Sequence, residues 1–511
     1  MTKEYVSKHK FSDIRVPIEN DNVSICRDDN VCIKCGRCKA VCTESIGVCG
    51  KYNLLKTDDT AVCINCGQCV KACPVGAIKI VEEWRLVAEL IKDKNKVVIV
   101  NTAPSVRVAI GDEFGLPAGT FVQGKLVALL RKLGFKYVLD TNFGADMTIV
   151  EEASELIERL KSKQNLPQFT SCCPAWVKYV ETFHPDMMAN LSTCKSPIGM
   201  MGSTIKTYFA SAMKLNPSDI VNVAITPCTA KKFEIRRPEL NDAGNHYDNS
   251  QMRDTDYVIT TRELVAWAKQ EGIDFNLLED SNYDNIMGNA SGAGYIFGNS
   301  GGVMEASMRT AHYLITGKEP NTKLLNLQDV RGLRNVKEAV VKIADMELKV
   351  AVVYGTRYAD ELLNEIKKGN APYDFIEVMA CPGGCIGGGG QPKEDIAGLT
   401  ARMNSIYNMD DNLNLRCSAT NPDIVELYDN FYGKALSPKA EEMLHTSYTN
   451  RSEILTRSNY QQQEVKMSNA DNARQGETKW VCKICGYEHF GASAPSECPI
   501  CGVDATRFTK Q

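Results

Sequence analysis

The chain has 511 residues and a formal net charge of −4, with 43 % hydrophobic and 24 % charged residues. Its 59 basic residues nearly balance 63 acidic ones, so no basic field predicts nucleic-acid binding. No apolar run approaches the roughly 20 residues that span a bilayer, and the polar N-terminus MTKEYVSKHKF has no apolar signal core. We therefore expect a cytoplasmic protein of about three domains, without nucleic-acid or membrane partners.

Cysteine is the unusual residue, with 21 in the chain. A disulfide framework suits short secreted chains, whereas this chain is long and most of its cysteines are clustered at metal-ligand spacing. We therefore interpret the clusters as metal sites.

Residues 1–82 include a strand-like VPI at 16–18 and two repeats of the spacing C-x2-C-x2-C-x3-C. In this arrangement three thiolates of one repeat hold a 4Fe-4S cube, and the fourth ligand comes from the other repeat. Two zinc knuckles fit the spacing poorly. The repeats therefore predict a ferredoxin-like α+β domain with two 4Fe-4S clusters, the first held by Cys32, Cys35, Cys38 and Cys73 and the second by Cys42, Cys63, Cys66 and Cys69.

Residues 83–448 have a mixed pattern that predicts an α/β domain. Strand-like segments at 96–100, 137–140, 221–225, 349–353 and 375–379 alternate with helical stretches such as 148–163. Residues 449–478 have the polar composition of a flexible linker. The last unit, 479–511, is too small to fold without a metal or another covalent constraint.

Three further cysteine motifs lie in the α/β domain: TSCCPAW (170–176), TPCTAKKFE (226–234) and ACPGGCIGGGGQP (380–392). Each follows a strand-like segment, and loops at the carboxyl ends of strands meet at one edge of an α/β sheet. Four thiolates from these loops would suit another 4Fe-4S cube. The glycine run at 387–390 would let the backbone approach a cofactor closely.

These three loops resemble the signature of the iron-only (FeFe) hydrogenases, and the likeness runs from about residue 26 to 448. The resemblance implies a two-lobed catalytic domain around an H-cluster, which is a 4Fe-4S cube joined through a cysteine sulfur to a diiron unit with CO, cyanide and a bridging azadithiolate. The implied cube ligands are Cys173, Cys228, Cys381 and Cys385, with Cys385 as the bridging thiolate. Lys231 would hold one cyanide, Ser105 and the backbone of Pro104 would donate to the other, and Met379 would pack beside the diiron unit.

In TSCCPAW, the resemblance makes Cys173 the ligand and Cys172 the last proton donor. It also implies a proton relay of side chains at hydrogen-bond reach, formed by Glu152, Glu155, Ser192 and Arg159. The two glutamates and the arginine share one face of a helix, and their spacing alone favours a solvated charged face. With Cys172 and Ser192 in the family positions, we favour the relay.

Three positions depart from the family pattern. Ala175 replaces a common glycine, Thr226 replaces a common methionine, and Gly387 stands where asparagine often follows Ile386. Each would lie around the cluster, where neighbouring groups tune potential and access. We expect effects on rate, catalytic bias and oxygen sensitivity rather than on the class of reaction.

The last unit has four cysteines in two C-x2-C pairs, a spacing that predicts a tetrahedral site for iron or zinc held by Cys482, Cys485, Cys498 and Cys501. The flanking W-x-C-x2-C-G-Y and the late Phe508 resemble the rubredoxin domain of rubrerythrins. We favour iron, because a one-electron site suits a redox chain. The alternative is a zinc clip that serves only for docking.

The resemblance implies the reaction 2H⁺ + 2e⁻ ⇌ H₂, with electrons relayed by the ferredoxin-type clusters and exchanged with ferredoxin or another small redox protein. It also implies H-cluster maturases as partners. One rival is an iron-sulfur-assembly relative, which should lack the donor thiol and the cyanide-binding lysine. A hydrogen sensor should carry an appended sensory domain, and a plain electron carrier leaves the α/β domain unexplained.

Overall fold

The computed structural model describes residues 14–457, 478–482, 488–490, 492–496 and 505–510. The strands in these ranges are β1 (Ile25–Arg27), β2 (Ile78–Ile80), β3 (Val97–Thr102), β4 (Tyr137–Asp140), β5 (Gln168–Phe169), β6 (Ile220–Thr226), β7 (Tyr257–Thr260), β8 (Val336–Ile343), β9 (Met346–Tyr354), β10 (Phe375–Met379), β11 (Lys479–Cys482), β12 (Glu488–Phe490) and β13 (Phe508–Lys510).

The α-helices in the same ranges are α1 (Arg37–Glu44), α2 (Gln68–Ala72), α3 (Trp84–Lys92), α4 (Gln123–Leu133), α5 (Thr141–Ser162), α6 (Pro174–Phe183), α7 (Pro197–Thr204), α8 (Ala210–Ala212), α9 (Lys231–Glu234), α10 (Asp242–His246), α11 (Thr261–Gln270), α12 (Gly292–Ile296), α13 (Gly302–Thr316), α14 (Thr322–Leu325), α15 (Thr356–Lys367), α16 (Ile396–Asp411), α17 (Pro422–Leu427) and α18 (Pro438–Leu444). None of these helices is long and apolar enough to cross a membrane.

The N-terminal cysteine repeats form a small module in which β1 and β2 pair antiparallel. Its two helices, α1 and α2, each follow a glycine in the left-handed region, Gly36 and Gly67. The strand predicted at 16–18 is wrong, because this segment has irregular backbone. Val16 and Ile18 are buried instead in the core of the module, beside Cys38, Cys69 and Cys73.

The α/β domain contains two separate four-stranded sheets. The first has the order β4-β3-β6-β7 and is parallel throughout. The second has the order β5-β10-β9-β8, with β8 antiparallel at its edge. The predicted strand segments are confirmed as β3, β4, β6, β9 and β10. These strands were visible in the sequence because strands covered on both faces form nearly continuous apolar runs.

Helix α5 runs through the middle of the domain and begins seven residues before its predicted start at 148. Asp140, the last residue of β4, accepts a hydrogen bond from the backbone N–H of Asn142 at 2.9 Å and so caps the helix. Asp140 is itself fixed by Arg107, whose guanidinium lies 2.7 Å from its carboxylate. The first half of α5 is buried all round, so the helix could place polar side chains far from water.

The α/β domain continues past its predicted end at 448. Residues 452–456 form a 3₁₀ turn, and Ile454 and Leu455 pack in the apolar cluster around α6. Arg451 pairs with Glu181 of α6 at 2.7 Å. The linker predicted from residue 449 therefore starts no earlier than residue 458. In the C-terminal unit, the described strands form a small sheet of order β12-β11-β13.

Candidate functional site

The carboxyl ends of strands from both sheets face one cavity, with a volume of about 70 Å³. The loops after β3 and β6 come from the first sheet, and those after β5 and β10 come from the second. The sequence predicted convergence at the edge of one sheet. The structure instead brings two sheets end to end around the cavity, which agrees with the predicted two lobes.

All four thiols that the resemblance assigns to the cube line this cavity: Cys173, Cys228, Cys381 and Cys385. The four thiols lie around the wall of the cavity. Within the described ranges, no three His, Cys, Asp or Glu side chains are grouped so that they could hold a single metal ion. Burial raises the pKa of Cys381 to about 11, so ionisation of this thiol needs nearby positive charge such as iron. The donor set fits a polynuclear iron–sulfur cluster better than one ion.

The adjacent thiols of TSCCPAW have different surroundings. Cys173 directly precedes α6, and its Sγ accepts a hydrogen bond from the backbone N–H of Ala380 at 3.4 Å. Cys172 packs in the apolar cluster with Met379 and Phe297. Burial raises the pKa of Cys172, and the neighbouring Glu152 raises it further. Cys172 therefore keeps its proton near neutral pH, as a proton donor must.

The predicted diiron contacts surround the same space. Pro104, Lys231 and Met379 line the cavity. The ammonium of Lys231 donates to the carbonyl of Cys172 at 3.1 Å and lies 2.8 Å from Glu234. Ser105 is fully buried on the loop after β3, and its hydroxyl has no hydrogen-bond partner within the described chain. A buried donor without an acceptor fits a cavity built for a ligand with its own acceptors.

The predicted relay is buried, so the solvated-face alternative is wrong. Glu152 is 0 % exposed, and Glu155 and Arg159 are each 8 % exposed. Neither carboxylate oxygen of Glu152 has a hydrogen-bond partner within the described chain. Burial, with the charge of Glu155 second, raises the pKa of Glu152 to about 8. A carboxyl with this pKa can both accept and release protons near neutral pH.

Glu155 is held from several sides. Its Oε2 accepts a hydrogen bond from the hydroxyl of Ser192 at 2.6 Å. Its Oε1 lies 2.7 Å from a guanidinium nitrogen of Arg159 and accepts from the hydroxyl of Thr193 at 3.1 Å. The structure thus brings Glu155, Ser192 and Arg159 into direct contact, with Glu152 one helical turn away towards Cys172.

The second ferredoxin-type site adjoins the cavity. A pocket in the N-terminal module is lined by all four predicted ligands of the second cluster, Cys42, Cys63, Cys66 and Cys69. Burial raises the pKa of Cys66, and the nearby Cys381 of the catalytic cavity raises it further. Cys66 and Cys381 therefore lie close enough to interact electrostatically across the junction.

Glycines make this approach possible. A Cβ on Gly389 would lie 2.3 Å from the carbonyl oxygen of Cys66 and 2.7 Å from the Cα of Gly67. A Cβ on Gly67 would lie 2.4 Å from the hydroxyl of Thr229. The glycine run predicted to approach a cofactor thus also brings two backbones together, while Gly388 lines the cavity itself.

The predicted ligands of the first cluster lie at the outer end of the module. Cys38 and Cys73 are buried, and each Sγ accepts a backbone N–H, from Val16 at 3.3 Å and from Ala77 at 3.2 Å. Cys32 packs beside them, whereas Cys35 is exposed. Backbone N–H groups that point at sulfur favour the thiolate form that a cluster needs.

The three departures from the family pattern have definite places. Thr226 lines the cavity, and its hydroxyl donates to the carbonyl of Cys228 at 3.1 Å, so it braces the cysteine loop. Ala175 is buried in the apolar cluster around α6. Gly387 accepts a hydrogen bond through its carbonyl from Gln68 of the N-terminal module at 3.0 Å.

The predicted metal site of the C-terminal unit falls largely outside the described residues. Cys482 ends β11, and only its backbone is described. Cys485, Cys498 and Cys501 lie outside the described residues.

Family models agree with this architecture. A model described as "Iron only hydrogenase large subunit, C-terminal domain" matches residues 96–389, more than half of the chain. The chain belongs to the iron-only (FeFe) hydrogenase family. In this hydrogenase a second model, "Iron hydrogenase small subunit", matches residues 395–451. A "4Fe-4S binding domain" matches 57–79, and a "Rubrerythrin, rubredoxin-like domain" matches 480–509.

Curated relatives support the same assignment. The hydrogenase is 44 % identical over 454 residues to the NADP-reducing hydrogenase subunit HndD of Solidesulfovibrio fructosivorans, covering 85 % of this chain and 76 % of that one. It is 41 % identical to iron hydrogenase 1 of Clostridium pasteurianum, covering 84 % and 77 %. Its identity to cytosolic iron-sulfur assembly component 3 of Bos taurus is 32 %, covering 70 % and 75 %.

The fold agrees with solved structures. An apo variant of FeFe hydrogenase HydA1 from Chlamydomonas reinhardtii superposes with a TM-score of 0.65 at 39 % identity, covering 72 % of this chain and 99 % of that one. The hydrogenase is therefore an oxidoreductase that carries an H-cluster, with a ferredoxin-type 4Fe-4S domain and a rubredoxin-like metal unit. The residues that hold these groups remain predictions, which the cavity geometry supports.

Sequence reasoning missed several residues of the relay region. Hydrogen bonds lead from Glu155 to Thr193, from Thr193 to His445 and from His445 to Glu151. His445 lies in LHTSY, close to the end of the catalytic domain and far from TSCCPAW in the chain. Nothing in the spacing of the six histidines in the sequence links His445 to α5.

Proposed function

We propose that this hydrogenase catalyses 2H⁺ + 2e⁻ ⇌ H₂. The observation that carries the proposal is a fifth thiol: Cys172 shares a cavity with the four cysteines proposed to bind the cube and lies near enough to the buried Glu152 to be influenced by its charge. A cavity that only held a cluster would need no proton-bearing thiol backed by a titratable carboxyl. When bound, the H-cluster would supply the iron centre at which electrons and protons combine.

The residues around the cavity would have different roles in binding the cluster and excluding water. Cys173, Cys228, Cys381 and Cys385 would hold the cube. Lys231 would donate a charge-assisted hydrogen bond into the cavity, and Ser105 a neutral one. Apolar side chains such as Met379 and Phe297 would exclude water, so that protons arrive only through Cys172.

Protons would pass between Cys172 and Glu155 by way of Glu152 and Ser192. The Ser192 hydroxyl donates to Glu155 at 2.6 Å, which is within the range for proton transfer. Arg159 would fix the position and charge of Glu155, because a guanidinium does not release its proton in proteins.

Electrons would pass through the second ferredoxin-type cluster to the cube, because the backbone of Cys66 packs against Gly389, four residues after the proposed cube ligand Cys385. The first cluster would then exchange electrons with ferredoxin or another small redox protein. A related chain is named as a subunit of an NADP-reducing hydrogenase, so partner subunits are a second candidate for the exchange of electrons with this enzyme. We place the enzyme in the cytoplasm, which cell fractionation would test, and expect it to need H-cluster maturases.

Infrared spectroscopy and gas measurement of the matured enzyme test the proposal together. We expect bands of bound CO and cyanide, and H₂ evolution with reduced ferredoxin or a reduced dye. Bands without turnover would favour the sensor alternative and overturn the proposed reaction. An absence of bands after maturation would remove the H-cluster chemistry.

A further inference from the structure

The relay implied by the family pattern ends at a group that does not titrate. Its last member, Arg159, donates to Glu155 and to the backbone carbonyls of Asn165, Ala189, Asn190 and Leu191. A guanidinium held in this way keeps its protons. Only 11 % of the Glu155 side chain is exposed, so a titratable group nearer the surface would help Glu155 to exchange protons with water.

A second set of contacts leaves Glu155 in another direction. The hydroxyl of Thr193 donates to Glu155 at 3.1 Å and lies 2.7 Å from Nδ1 of His445. His445 follows α18 and is 6 % exposed. A hydroxyl between a carboxylate and an imidazole can accept a proton from one as it gives its own to the other.

His445 has two further acidic neighbours, one buried and one exposed. Its Nε2 lies 3.2 Å from the buried carboxylate of Glu151, which also accepts hydrogen bonds from Tyr428 and from the backbone of Leu436. Its Nδ1 lies 3.8 Å from Glu441, whose side chain is 51 % exposed. Glu441 is the first group in this direction with free access to water.

We infer that the side chain of His445 carries protons between the buried Glu155 and the exposed Glu441. The inference rests on the proposed function and names the outlet of its proton path. In the inward direction, His445 would give its Nδ1 proton to Thr193 while the hydroxyl proton of Thr193 moves to Glu155. His445 would then regain a proton from Glu441 or from water beside it. Each step moves one proton and no electrons.

The surroundings of His445 suit this role. The charged groups that face it are Glu151 and Glu155 from α5 and Glu441 from α18, all of them acidic. Burial lowers the pKa of His445, but the hydrogen bond of Glu151 and the charges of Glu151, Glu441 and Glu155 together outweigh burial and raise the pKa above the usual value for histidine. His445 therefore stays protonated to a higher pH than a solvated histidine.

Isotope exchange between D₂ and water tests the outlet in the holoenzyme, because this exchange needs no external electron donor. His445→Gln keeps hydrogen-bonding atoms but cannot titrate. We expect exchange to slow by about tenfold or more, within reach of the 10²–10⁴ that acid–base groups contribute, and to lose its pH dependence near the pKa of His445. His312→Gln is the control, because His312 bonds to the carbonyl of Lys318 on another part of the domain.

An unchanged exchange rate and pH profile in His445→Gln would overturn the inference while leaving the proposed function intact. A wild-type enzyme that exchanges no isotope would instead overturn the proposed function, and this outlet with it. Glu441→Gln gives a second test that does not disturb the buried network. Its side-chain NMR titration should show a lower pKa for His445, and its exchange profile should shift to lower pH by the same amount. If the NMR pKa moves while the exchange profile does not, protons use another outlet.

Discussion

Glu152→Gln separates the role of the relay from the stability of the fold. Glu152 is fully buried on α5, and neither of its carboxylate oxygens has a hydrogen-bond partner in the described chain. Burial and the charge of Glu155 raise its pKa from 4.5 to about 8. An ionised Glu152 is therefore a cost to the folded state that glutamine does not share.

The magnitude follows from the pKa. At 1.36 kcal/mol per pKa unit, the rise from 4.5 to about 8 corresponds to about 5 kcal/mol. Below pH 4.5 the carboxyl is protonated in both states and costs nothing. Between pH 4.5 and 8 the unfolded chain is ionised while the folded chain still binds the proton, so wild-type stability falls as pH rises. Above pH 8 the carboxyl is ionised in the folded chain as well, and this group lowers the stability no further.

Urea unfolding at about pH 5 and at about pH 9 measures this difference. We expect Glu152→Gln to gain stability over wild type as pH rises, by up to about 5 kcal/mol, while H₂ turnover falls by about 10²–10⁴. Glu158→Gln is the matched control, because Glu158 lies on the same helix with its side chain 60 % exposed. A stability difference that does not change with pH would refute the raised pKa, and near-normal turnover would remove Glu152 from the relay.

Three other variants address the thiol, the junction and the C-terminal boundary. Cys172→Ser should keep the infrared bands of the H-cluster but lose about 10²–10⁴ of turnover, whereas Cys173→Ser should disturb the cube; the reverse pattern would exchange their roles. Gly389→Ala should slow dye-driven turnover but not D₂ exchange, because its Cβ would lie 2.3 Å from the Cys66 carbonyl and so disturb the junction that electrons cross. Equal effects on turnover and exchange would place the damage in the catalytic cavity. A chain that ends at Arg457 should keep activity with an artificial donor. A chain that ends at Ser447 should unfold at a lower temperature, because it loses the pairing of Arg451 with Glu181. Identical melting temperatures of the two chains would show that residues 448–457 add no stability.

Much of the fold could be predicted from the sequence where burial imposes a simple pattern. The segments at 137–140 and 375–379 coincide with β4 and β10 because both are almost wholly buried and apolar apart from one acidic residue each. The edge strand β8, VKEAVVKI, was missed because it alternates between buried and exposed positions and mixes charged with apolar residues. The VPI segment is apolar because it packs on the small core of the N-terminal module, not because it pairs as a strand.

The site residues that could be predicted from the sequence are those that lie in short motifs. Cysteine spacing and the short loops place the thiols, because each motif lies within a few residues of one strand end. The outlet at His445 depends on a contact with Thr193, which lies 252 positions earlier in the chain. No local spacing reports such a contact, and only the packing of α18 near α7 brings it about.

The contact of Gly389 with Cys66 and Gly67 has a consequence for engineering. At this point main chain meets main chain, so the close approach itself does not depend on matched side chains, while Gln68 and Lys71 add side-chain bonds to Gly387 and Glu394 beside it. The outer face of the N-terminal module can therefore be redesigned to accept a new electron donor while the inner junction stays unchanged. A transplanted module should succeed only if it presents a glycine at the position of Gly67.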